Sequence, residues 1–138
     1  MLVGVHERQL DEKGRLALPS PFRTDLDERC YLVLGEDRCI NVYSRDAFEA
    51  TACDIADRVR QGELPMSRQR AIAHSAAPVT IDKQGRITLG DDLRQYARLP
   101  LGAKVVIAGN IDWAEVWSLE NYERIASDSR GLMAGGAE

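Results

Sequence analysis

Residues 8–19, Arg8-Gln-Leu-Asp-Glu-Lys-Gly-Arg-Leu-Ala-Leu-Pro19, return without a gap as residues 79–90, Val79-Thr-Ile-Asp-Lys-Gln-Gly-Arg-Ile-Thr-Leu-Gly90, at an offset of 71. Asp11/Asp82, Gly14/Gly85, Arg15/Arg86 and Leu18/Leu89 coincide, and the match continues through Phe22/Leu93 and Arg23/Arg94. After a three-residue slip it resumes at an offset of 74, where Val33/Ile107, Gly35/Gly109, Val42/Val116, Ser44/Ser118, Phe48/Tyr122 and Glu49/Glu123 correspond. Self-similarity of this kind means one supersecondary unit written twice.

Each copy reads as a strand, a turn at Asp-x-x-Gly-Arg and a second strand of alternating pattern (Leu16, Leu18; Ile87, Leu89). A short helix then starts near Pro19-Ser20-Pro21 in one copy and Asp91-Asp92 in the other. A third strand (Tyr31 to Leu34; Val105 to Ala108) reaches a glycine-containing turn. A fourth (Ile40 to Tyr43; Trp113 to Trp117) ends on Ser44 or Ser118, each placed to cap a following helix. In the first copy that helix carries the stripe Phe48, Ala52, Ile55 and Val59. The breaker Gln61-Gly-Glu-Leu-Pro65 separates it from a second helical stretch, Ser67 to Ser75, so a helical hairpin is inserted between the copies. The second copy has a shorter stripe, Leu119, Tyr122, Ile125 and Ala126, and the segment from Gly131 to Glu138 has no period. The expected divisions are a first half 1–55, a connector 56–76, a second half 77–127 and a flexible tail 128–138.

A half of about fifty residues buries too little surface to stand alone, and three or four short strands leave open edges. Packing the halves on each other removes both difficulties. The expected fold is α+β: a single small β-barrel with pseudo-twofold symmetry and helices packed outside, because repeated elements pair as identical subunits of a dimer do.

The 138 residues, 44% hydrophobic and 29% charged, suit one soluble domain of ordinary size or two very small ones sharing a core. With 22 acidic and 18 basic residues the formal charge is −4 and no long run of one sign occurs. That balance argues mildly against nucleic acid, although a few cations on one face suffice to bind it. Cys30, Cys39 and Cys53 form no C-x-x-C pair and His6 and His74 lie far from them, so neither a disulfide framework nor a metal site is indicated. Apolar runs are strand-length and the start lacks a signal-peptide pattern; the expectation is no membrane span, no export and a reducing cytoplasm. No G-x-S-x-G, glycine-rich phosphate loop or metal-ligand cluster suggests catalysis, so no enzyme and no cofactor is expected.

The repeated Asp-x-x-x-Arg is the informative chemistry. A turn on Gly14 or Gly85 lets the acid and the arginine meet across the bend, which admits two roles. One is an ion pair that fixes the hairpin. The other projects the arginine, with Lys13, Lys83 and Gln84 beside it, toward phosphates or base edges, where bidentate guanidinium geometry suits guanine. Trp113 and Trp117 read as packing residues rather than as a base-stacking platform, His74 as a helix-end histidine, and the three cysteines as buried inert thiols.

These residues also carry a likeness. Leu10-Asp-Glu-Lys-Gly-Arg-Leu-Ala-Leu-Pro19, the Gly35-Glu-Asp-Arg-Cys39 turn leading to Val42-Tyr43, and Ile81-Asp-Lys-Gln-Gly-Arg-Ile-Thr-Leu89 make the chain, over residues 1 to 127, resemble the MraZ family of bacterial transcriptional regulators, built from two AbrB-like (swapped-hairpin) halves. The resemblance implies a sequence-specific regulator of double-stranded DNA, bound to direct repeats upstream of the cell-division and cell-wall gene cluster that contains its own gene. It further implies a homo-oligomeric ring and a nucleoid location. The family motif falls on Asp11 and Arg15 and on Asp82 and Arg86. The DNA-binding residues it implies are Lys13, Arg15, Lys83 and Arg86, with Asp11, Gly14, Asp82 and Gly85 holding the loops and Arg8 and Arg23 as weaker phosphate candidates. Gly90 departs from the pattern of Pro19 at the start of the second short helix. The competing class is a ring-forming interaction scaffold without specific DNA binding.

Overall fold

The computed structural model describes residues 1–136. In chain order the elements are β1 (Val5–Gln9), β2 (Arg15–Ala17), α1 (Ser20–Leu26), β3 (Arg29–Leu34), β4 (Ile40–Ser44), α2 (Arg45–Arg60), α3 (Met66–Ser75), β5 (Ala77–Thr80), β6 (Arg86–Thr88), α4 (Asp91–Ala97), β7 (Lys104–Gly109), β8 (Ala114–Ser118) and α5 (Leu119–Met133). The fold is α+β, and every pairing is antiparallel.

The strands form a six-stranded sheet, ordered β1-β7-β8-β4-β3-β5, and a separate two-stranded ribbon, β2-β6. The first strand of each half pairs with the third strand of the other half, β1 on β7 and β5 on β3. The halves are therefore interleaved. The pseudo-twofold relation is visible in the register, because Asn41 faces Glu115 between β4 and β8, and Leu16 faces Ile87 between β2 and β6. Each of those pairs matches in the repeat, so the axis passes through both. The expected barrel is not a closed ladder: β1 and β5 remain the two edges of an open sheet. The β2-β6 ribbon covers its inner face instead, which buries the core without edge-to-edge closure.

That core holds Leu10, Leu16, Leu18, Phe22 and Leu26 from the first half with Ile87, Leu89, Leu93, Ala97 and Leu99 from the second, against the inward residues of the sheet. A smaller cluster on the outer face joins Val106, Ala108 and Trp117 to Leu119, Tyr122 and Ile125 of α5. Trp117 is thus a packing residue, and its indole N–H donates to Glu115. Cys30 and Cys39 are buried, and burial pushes the Cys30 thiol up to about 11. Cys53, expected buried, is exposed, because its position on α2 lies off the stripe that faces the sheet.

The register also corrects the alignment in one strand. Cys30 faces Ser44 as Val105 faces Ser118, so β3 and β7 correspond at an offset of 75, not 74. Matching Val33 to Ile107 would flip every side chain of the strand, since successive residues point to opposite faces. Leu32 and Ile107 are the true equivalents, both fully buried in the core. The extra residues sit in the loop from α4 to β7, which is longer than the bend from α1 to β3.

Three other expectations meet the structure in detail. Gly90 enters α4 with φ −68° and ψ 158°, close to Pro19 before α1 at φ −57° and ψ 139°, so the departure from proline leaves the helix start in place. The α2 helix runs unbroken through residues 55 and 56, where the first half was divided from the connector. Residues 128–133 of the expected tail are helical, because α5 is capped at Ser118 and continues to Met133; residues 137–138 lie outside the described residues.

The Ser44 and Ser118 hydroxyls accept hydrogen bonds from the Ala47 and Asn121 amides, both at 3.2 Å. Removing one such cap costs about 1 kcal/mol. Ser118→Ala is accordingly expected to lower the urea midpoint, and an unchanged midpoint would mean that the cap does not hold α5.

Candidate nucleic-acid interface

Each Asp-x-x-Gly-Arg segment folds as a tight turn around its aspartate. In the first, Asp11 Oδ1 accepts from the Lys13 amide at 2.9 Å and the Arg15 amide at 2.8 Å, and Asp11 Oδ2 accepts from Arg15 Nε at 2.5 Å. In the second, Asp82 Oδ1 accepts from the Gln84 and Arg86 amides and Oδ2 from Arg86 Nε, all at 2.9 Å. Backbone bonds close both turns, Gly14 N–H to the Asp11 carbonyl at 3.2 Å and Gly85 N–H to the Asp82 carbonyl at 2.9 Å. Gly14 and Gly85 sit at φ 75° and 79°, a left-handed conformation that side chains with a Cβ resist.

Amide donation and the adjacent guanidinium favour the ionised acid. The Arg15 amide, then the Arg15 side chain and the Lys13 amide, hold Asp11 down at about 2, and the same contacts from Arg86 and Gln84 lower Asp82. A carboxyl depressed in the folded loop stabilises it above the ordinary carboxylate range and ceases to do so as pH falls toward the depressed value. Carboxyl NMR shifts are therefore expected to show Asp11 titrating near pH 2, with the Lys13 and Arg15 amide signals moving through the same midpoint. Titration of Asp11 near 4 would show that these bonds do not form in solution.

The ribbon brings the two turns together. Arg15 pairs with Thr88 and Ala17 with Arg86, which puts both arginines on one side of β2-β6, while Leu16 and Ile87 point to the core. The side chains of Arg15 and Arg86 are 33% and 27% accessible. Leu18 N–H donates to the Gly85 carbonyl at 2.9 Å and Leu89 N–H to the Gly14 carbonyl at 2.8 Å, so each turn is tied to the other half's strand. By that register Gly14 and Gly85 stand four residues apart along the ribbon, about 13 Å at a strand's rise. Lys13 and Lys83 are exposed on them. Arg8, at a half-exposed position of β1, donates to the adjacent Glu7 carbonyl and lies outside the ribbon.

The two readings of Asp-x-x-x-Arg are compatible. Nε of each arginine engages the aspartate, and the two terminal nitrogens make no hydrogen bond among the described residues. The edge of each guanidinium that suits bidentate pairing is thereby left free of protein partners. Sequence reasoning missed Arg94, whose Nε would lie 3.4 Å from a Cβ at Gly14 and which supports the first turn from α4. The signal was its match to Arg23, which packs against Gly85 from α1.

Comparison with known proteins identifies the chain's family. The family model described as "MraZ protein, putative antitoxin-like" matches residues 1–61 and 72–135. A relative named transcriptional regulator MraZ from Cutibacterium acnes is 36% identical over 134 residues, covering 97% of this chain and 93% of its own. That of Roseiflexus castenholzii is 35% identical over 127 residues, covering 92% and 87%. That of Nocardia farcinica is 36% identical over 123 residues, covering 89% and 85%. A family match over both halves of the repeat, with relatives this similar along nearly the whole length, establishes that the chain belongs to the MraZ family.

Proposed function

We propose that this chain is a sequence-specific DNA-binding transcriptional regulator, not an enzyme, that reads double-stranded DNA through the β2-β6 ribbon. The observation that carries the reading is the pair Arg15 and Arg86 on one exposed ribbon face, each pinned through Nε and presenting its terminal nitrogens. A two-stranded ribbon fits the major groove, where arginine pairs bidentately with guanine O6 and N7. Lys13 and Lys83 add phosphate contacts. Its target in this reading is the set of direct repeats upstream of the cell-division and cell-wall cluster that includes its own gene, as the family resemblance implies.

The chain acts as a homo-oligomeric ring of two AbrB-like halves per subunit. Half-exposed apolar residues of the α2-α3 hairpin, among them Phe48, Ile55 and Ile72, supply a surface for association. Repetition of the ribbon around a ring raises affinity without a high net charge. The formal charge of −4 favours the second reading, a ring-forming scaffold.

A titration against the gene's own upstream DNA and a scrambled duplex, at several salt concentrations, separates them. Tight binding to the upstream DNA alone, weakening as salt rises, is the expected result. Equal, feeble binding to both duplexes would overturn the regulator reading in favour of the scaffold.

A further inference from the structure

The two turns related by the pseudo-twofold axis are not electrostatic equals. In the first, Asp11 and Glu12 cancel Lys13 and Arg15. In the second, Glu12 is replaced by Lys83, and Asp82 faces two cations, Lys83 and Arg86, leaving a net positive turn.

The arginines that pack against the glycines deepen the difference. Arg94, beside the first turn, is only 14% accessible, forms an ion pair with Asp91 and donates from Nη1 to the Leu99 carbonyl at 3.3 Å. Its charge is neutralised and its guanidinium is turned inward. Arg23, beside the second turn, is exposed and makes no ion pair among the described residues. The repeat explains why: the position of Asp91 is occupied by Ser20 in the first half, and that of Asp92 by Pro21. The Arg23 guanidinium instead fills the space that a Cβ on Gly85 would take, so it lies directly on the second turn.

We infer that Asp82–Arg86 together with Arg23 is the main phosphate-anchoring half of the interface, and that each chain lies on DNA with a fixed polarity. The inference rests on the DNA-binding reading above and adds to it a residue from the opposite half of the chain. A domain with two equal turns would bind a duplex equally well in either orientation. One strongly cationic turn and one neutral turn remove that degeneracy, because phosphate attraction scales with the cations each turn presents.

The test compares salt dependence on the upstream duplex for wild type, Arg23→Gln, Arg23→Lys, Arg94→Gln and Glu12→Lys. Loss of one phosphate contact lowers the slope of log affinity against log salt by about one. Arg23→Gln is expected to show that drop with a several-fold weaker affinity, Arg23→Lys to restore the slope, and Arg94→Gln to leave it unaltered. Glu12→Lys, an exposed change that turns the neutral first turn cationic, is expected to steepen the slope by about one. An unaltered slope in Arg23→Gln, or equal drops in Arg23→Gln and Arg94→Gln, would overturn the polarity while leaving DNA binding in place. Absence of wild-type binding to the upstream duplex would overturn both.

Discussion

The double variant Arg15→Ala, Arg86→Ala is expected to lose specific DNA binding by a factor of about thirty or more while keeping its fold. Each bidentate arginine contact to a base contributes roughly 1–3 kcal/mol of discrimination, so removing two from one ribbon abolishes selection between upstream and scrambled duplexes. Neither arginine belongs to the core: each lies on the outer side of the ribbon, partly accessible, and bonds only within its own turn. Ion pairs this open to water and confined to one turn contribute about 1 kcal/mol or less, so the thermal transition should move only slightly. Gel-shift titration and a melting curve on the same preparation check the two halves of the statement. A variant that melted much earlier than wild type would show that the turns are structural supports first, and retained selectivity in a folded variant would remove the arginines from base recognition.

The second large effect lies directly beneath those arginines. Leu16 is fully buried and faces Ile87 where the axis crosses the ribbon. Its side chain closes the core between the two halves, alongside Leu18, Leu89 and Leu10. Leu16→Ala removes the γ-methine and both methyl groups and leaves a cavity, which costs about 2–5 kcal/mol. For a domain of this size that corresponds to a fall in melting temperature of about 10 °C or more. DNA binding measured well below the new transition should survive, because the substitution leaves the turn hydrogen bonds and both arginines in place. The two variants thus dissociate stability from recognition. A melting temperature within about 2 °C of wild type would show that the ribbon is not seated on the core.

Much of this arrangement was legible in the chain itself. The offset of 71 placed Asp11, Gly14 and Arg15 over Asp82, Gly85 and Arg86, and the structure forms the same hydrogen-bonded turn at both. Ser44 and Ser118 announced two helix starts, and both side chains cap. These features are local. A turn, a cap or an amphipathic stripe is decided by residues within a few positions of one another, so sequence spacing reports it directly.

What spacing could not reach was which half supplies each strand's partner. The exchange of β1 onto β7 and β5 onto β3 depends on long-range pairing, for which the repeat offers two chemically similar choices. Nor could it fix the offset of 75 in β3 and β7, since both Val33 and Leu32 are apolar and only the sheet decides which points inward. The exposure of Cys53 and the different fates of Arg23 and Arg94 are of the same kind. Sequence by itself determined the repeat, the two turns and the residues they present, because those follow from local geometry. Tertiary structure alone decided the interleaving, the open sheet and the placing of one half's arginine on the other half's turn, because these depend on contacts between residues far apart in the chain.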